Sequence, residues 1–111
     1  MNLKFNPQDD NLIGEIMAVG DVKKDLQSIP SNGTLDIRPP SGEEWVIHNI
    51  YHSAEAELYI TNGTISAKIS KHDREGGWFC YWFHVTNDQW LQVKNISSSS
   101  AVIGYDGVQT K

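Results

Sequence analysis

At 111 residues and 12.5 kDa the chain has room for one domain. Its 39% apolar and 10% aromatic content is too high for a disordered polymer, and its longest apolar runs, about six residues, fall far short of the ~20 a membrane-spanning helix requires. The net charge of −5 is uneven, with four basic against ten acidic residues in 1–60 and five against four in 61–111. No basic stripe is available to displace counterions, which argues against nucleic acid and against an anionic membrane surface as partners.

Residues 1–11 are polar, carry Pro7 and Asp9-Asp10-Asn11, and show no sustained periodicity. They read as an extended arm that orders on meeting a neighbouring subunit. The start, Met1 to Pro7, has no apolar stretch of signal-peptide type, and the single Cys80 has no internal disulfide partner. Both fit folding in a reducing cytoplasm. Residues 12–111 read as one domain, opening with a strand over Leu12–Val19. Turn signals then recur at short intervals: Pro30–Gly33, Pro39–Gly42, Asn62-Gly63, Glu75–Gly77, Asn87-Asp88, Ser97–Ser100 and Asp106-Gly107. No interval holds a capped helix of average length, so helix is a minor component.

Between these turns lie strands. Thr34–Arg38 follows Asn32-Gly33. Trp45–His52 is β-branched and aromatic and partly apolar on both faces, as a central strand is. Residues 57–70 predict a hairpin about a type I′ turn at Asn62-Gly63, with Ile65, Ala67 and Ile69 on the core face. Gln89–Asn95 alternates with Leu91 and Val93 inward, Ser97–Ser100 reads as a flexible loop, and Ala101–Tyr105 closes the set. The expectation is an all-β fold: a two-sheet antiparallel β-sandwich, jelly-roll or immunoglobulin-like, with an extended N-terminal arm.

Reactive chemistry finds little support. His48 and His52 would share a face on a helix, but on a strand four residues cover about 13 Å, too far for one metal ion. His72 and His84 could join them only if the fold converged them. Cys80 lies among aromatic residues, a setting for a buried, inert thiol. No serine stands in a nucleophile elbow. Glu43-Glu44 and Glu55…Glu57 read as solvated edge charges, and Glu75-Gly76-Gly77 lacks the context of a phosphate loop. No catalytic residue, metal ligand set or cofactor is predicted.

The run Trp78-Phe79-Cys80-Tyr81-Trp82-Phe83 carries the strongest signal. As one strand it places large apolar groups on both faces, whereas a sandwich buries one face of each sheet. The other face must be covered internally, by another chain, or by a sugar stacked on a tryptophan. Aromatic residues dominate contact anchors, so Trp78, Phe79, Tyr81 and Trp82 are expected at an interface between chains. Phe5 in the arm is expected to add to it.

Three segments together resemble a known group. Arg38-Pro39-Pro40-Ser41-Gly42-Glu43-Glu44-Trp45-Val46-Ile47-His48-Asn49-Ile50 resembles a stretch of small tailed-phage virion proteins, and Phe83–Asn95 and Ala101–Lys111 resemble their closing strands. The likeness spans residues 26–111. It implies a β-sandwich decorating a capsid or serving as a head or tail accessory subunit, folded in the host cytoplasm. Its implied partners are the major capsid protein or other virion proteins and further copies of itself, a trimer foremost. The expectation for function is thus a non-enzymatic decoration (cement) subunit, with a carbohydrate- or receptor-binding module of a tail or head fibre as the alternative.

Overall fold

The computed structural model describes residues 19–111. The arm at 1–11, Phe5, and nearly all of the strand expected over 12–19 lie outside the described residues. Nine strands follow one another: β1 (Val22–Ile29), β2 (Thr34–Ile37), β3 (Glu44–His52), β4 (Ala56–Thr61), β5 (Ser66–His72), β6 (Gly76–Trp78), β7 (Phe83–Thr86), β8 (Trp90–Asn95) and β9 (Ala101–Gln109). The first sheet runs β1-β9-β3-β6, with β7 also paired to β3; the second runs β2-β8-β4-β5. All pairs are antiparallel. The chain therefore crosses between sheets at every step except β4–β5 and β6–β7. With β6 and β7 counted as one interrupted strand, this is the strand order of a jelly roll, and the immunoglobulin-like alternative drops out.

Period-two burial builds the core between the sheets. Leu35 and Ile37 of β2, Leu91 and Val93 of β8, and Leu58 of β4 face Ile47 and Ile50 of β3, Val85 of β7 and Ile103 of β9. Burying each such side chain stabilises by roughly 1.5–3 kcal/mol before entropy is counted. At one end of this layer Asn95 is fully buried. Its amide donates to the carbonyls of Ile29 and Ser99, and its Oδ1 accepts from the Ser97 N–H and hydroxyl. All four hydrogen-bonding positions are filled. The serine run is thus a fastened turn, and the flexible loop expected there is corrected.

Three further expectations change. The β4–β5 hairpin is present, but its turn spans Asn62–Ile65: Gly63 alone has positive φ, and Asn62 Oδ1 accepts from the Thr64 and Ile65 N–H groups. This side-chain-bonded turn replaces the type I′ geometry. Ile65 accordingly lies in the turn, and Ile69 lies where the β4–β5 register shifts. Both are exposed, as is Ala67, instead of forming a core face. Finally, β1 has no counterpart among the predicted strands. Its apolar residues Val22 and Leu26 point to solvent, the reverse of the pattern that marks an amphipathic strand.

Candidate functional site

The aromatic run is not one strand. Trp78 pairs with Ile50 and Phe83 with Ile47, so two residues of β3, His48 and Asn49, oppose four residues, 79–82. Two residues too many must leave the ladder, and the chain bulges outward. Cys80 takes a left-handed conformation, φ 63°, to make the corner. The Cys80 N–H donates to Asn49 Oδ1 at 3.0 Å, Asn49 Nδ2 donates to Asp106 Oδ1 at 2.8 Å, and the Tyr81 N–H donates to the His48 carbonyl at 3.0 Å. A register shift between Ile47 and Asn49 in the β3–β9 pairing falls at the same place. Asn49 thereby ties the bulge through β3 to β9.

This geometry sorts the aromatic residues. Phe79, Tyr81 and Trp82 are 54%, 47% and 74% exposed. Trp82 meets the His48 ring edge-on at 5.4 Å, and Tyr81 stacks on Phe83 at 5.0 Å. Trp78, by contrast, is 3% exposed and belongs to the core. Its inclusion in the contact set is corrected, because strand pairing with Ile50 turns its indole inward. Cys80 is exposed on the bulge and not buried as expected.

Phe79 also joins a wider surface. Gly77, Tyr51, Gly104 and Leu26 are cross-strand partners in one row over β6, β3, β9 and β1. A Cβ on Gly77 would collide with the Phe79 ring, and one on Gly104 would lie 2.5 Å from Tyr51 Cε2 and 2.7 Å from Leu26 Cδ1. The two glycines are notches over which side chains lie down on the sheet. The outer face of the first sheet thus carries a band of Phe79, Tyr51 and Leu26, the last 63% exposed. Lys24, Asp25, Leu26 and Tyr51 line a shallow concavity of about 410 Å³ beside it.

Of the histidines weighed as ligands, the fold brings His72 onto His52 but leaves His48 apart from both, against Trp82. His52 Nδ1 donates to the Ala54 carbonyl at 2.7 Å, which leaves its Nε2 to accept from His72 Nδ1–H at 2.8 Å. Trp78 stacks on His72 with ring centres 4.2 Å apart. The His52–His72 contact joins β3 of one sheet to β5 of the other. Burial lowers the His52 pKa, since an imidazolium there would lose its water. Among the described residues no three His, Cys, Asp or Glu side chains gather as a metal site would need. What the surface offers chemically is apolar area and aromatic faces beside a few charges. Leu26, Tyr51 and Asn49 carry no site signal in the residue pattern beyond the polar Asn49 set between Ile47 and Ile50 of a largely β-branched and aromatic strand. A scan against protein-family models gives no match, and a search of curated proteins finds no matching sequence.

Proposed function

We propose that the chain is a non-enzymatic structural subunit that docks onto a larger protein assembly through its aromatic bulge. In this reading the assembly is the capsid of a tailed phage, and the chain is a decoration subunit seated against the major capsid protein. The observation that carries the reading is the bulge at 79–82, which holds Tyr81 and Trp82 out of the sheet and fastens its corner to Asn49. Keeping such rings in water is unfavourable by roughly 25 cal/mol per Å², a free energy recovered when a partner covers them. The resemblance of residues 38–50 and 83–95 to phage virion proteins supports the choice of assembly, and a jelly roll accommodates it without requiring it. Binding to a lattice then acts by avidity, many modest contacts bridging neighbouring capsomers.

A carbohydrate- or receptor-binding module is the second reading, favoured by the Trp82 ring, which has the exposure of a stacking platform. Co-sedimentation with bare phage shells tests the first. The native chain pellets with shells, and a Tyr81→Ala, Trp82→Ala double variant stays in the supernatant. Equal binding by both proteins, or by neither, overturns the docking reading. Saturable quenching of tryptophan fluorescence by one sugar, without shell binding, moves the assignment to the second.

A further inference from the structure

The outer face of the first sheet carries a knob and a hole. The knob is Phe79, lying over Gly77 at the β6 side; the hole is the concavity of Lys24, Asp25, Leu26 and Tyr51 at the β1 side. They flank the line between β9 and β3, the middle of the sheet. A two-fold axis along that line lays β1 of one copy over β6 of the other and β9 over β3. Each Phe79 then meets the mate's hole, and each Leu26 meets the mate's Phe79. We propose that this face binds a second copy of the chain, two first sheets packing face to face with Phe79 of each seated between Leu26 and Tyr51 of the other.

Three features select a second copy as the occupant. A knob and its hole on one surface, placed on either side of a central line, satisfy the rule for an isologous contact, in which each residue pair occurs twice. Charge raises no obstacle: about this axis Lys24 faces the bulge and Asp106 faces Asn49, so no like charges oppose. Size is adequate. Four strands at about 4.8 Å spacing, the central two nine residues long at about 3.4 Å per residue, give a footprint about 20 Å by 30 Å at its longest. With side-chain relief that approaches the ~800 Å² per partner of a standard interface.

The proposal does not depend on the capsid reading, and one experiment separates them. Sedimentation equilibrium of the full chain, without shells, is expected to show a species of twice 12.5 kDa that dissociates on dilution. Leu26→Asp puts a charge against the mate's phenyl ring and weakens the dimer by about tenfold or more; Phe79→Ser does the same from the other side. Glu57→Gln, on the outer face of the second sheet, leaves it unchanged. Leu26 and Phe79 are surface residues, so circular dichroism of the variants matches the native chain. A mass of one chain up to millimolar concentration, a mass of three chains, or a dimer indifferent to both substitutions overturns the two-fold contact. A monomer that still pellets with shells would sink this inference and spare the docking one.

Discussion

The outer faces of the two sheets are built on the same pleat and finished in opposite ways. On the second sheet Asp36, Gln92, Tyr59 and Lys68 form one cross-strand row, and Thr34, Lys94, Glu57 and Lys71 the next. These side chains satisfy one another: Gln92 Nε2 donates to Asp36 at 2.8 Å, the Tyr59 hydroxyl donates to Glu57 at 2.6 Å, and Lys68 pairs with Glu57 at 2.7 Å. On the first sheet the matching row is Leu26, Gly104, Tyr51 and Gly77, with Phe79 laid over the end. One face is finished for water. The other is left with apolar surface that water does not reward, which is why the proposed contacts are placed there and not on the polar side.

That contrast breaks most readily at Gly104. A Cβ there would meet Tyr51 Cε2 at 2.5 Å, Leu26 Cδ1 at 2.7 Å and, less forgivingly, the Asp25 backbone oxygen at 2.7 Å. The side chains can move; the backbone of a paired strand moves only by loosening the β1–β9 ladder. Gly104→Ala is therefore expected to destabilise by about 1–3 kcal/mol in denaturant unfolding, the usual toll of overpacking. It should also lift Tyr51 and Leu26 off the sheet, which changes how the outer face associates. A loss below about 0.5 kcal/mol would show that the notch is not needed and that the flat band is incidental.

Much of the inner face was legible in the residues, and little of the outer one. Leu35/Ile37 and Leu91/Val93 alternate because each strand has one dry side, and local pattern reports that directly. The outer band is assembled from Leu26, Tyr51, Gly77 and Gly104, residues of four strands brought level only by pairing register. Local periodicity carries no register between strands far apart in the chain. The bulge was illegible for a related reason: Trp78 to Phe83 is an unbroken apolar run that fits one continuous strand, and the two surplus residues exist only relative to His48 and Asn49 across the ladder. Cys80 gives no warning either, since positive φ is announced by glycine or asparagine and seldom by cysteine. β1 escaped notice because Val22 and Leu26 face outward while Lys23, Asp25 and Gln27 face the sandwich side, the inverse of what a buried strand displays.

The seam between the sheets offers a second, milder test. His52 is buried and hydrogen-bonded as the neutral ring, with His72 and Trp78 packed against it and Glu75 the nearby acid that favours its charged form. Its folded pKa lies below the 6.5 of an ordinary imidazole. The unfolded chain consequently binds more protons than the folded one in the window below 6.5, so stability is full above that pH and declines as pH falls toward the folded pKa. One such group contributes a slope of at most about 1.4 kcal/mol per pH unit. Melting temperatures measured from pH 8 downward should drop on crossing 6.5, with the His52 imidazole resonance titrating lower still. A resonance that titrates at or above 6.5 would mean that the two sheets are not fastened through a neutral His52.

The smallest effect belongs to the polar face, and its smallness is the point. The Glu57 carboxylate is held below its usual pKa by the Lys68 ammonium and then by the Tyr59 hydroxyl. A carboxylate with a lowered pKa contributes above about 4.5 and loses that contribution as pH falls through its folded value. Lys68 is nonetheless exposed, and solvent screens the pair. Glu57→Gln keeps the hydrogen bond from Tyr59 and removes the charge, so the melting temperature at neutral pH should move by no more than about two degrees. Association and shell binding should not change at all. If this substitution weakened either one, the polar face would be a contact surface too, and the division of labour between the two sheets would fail.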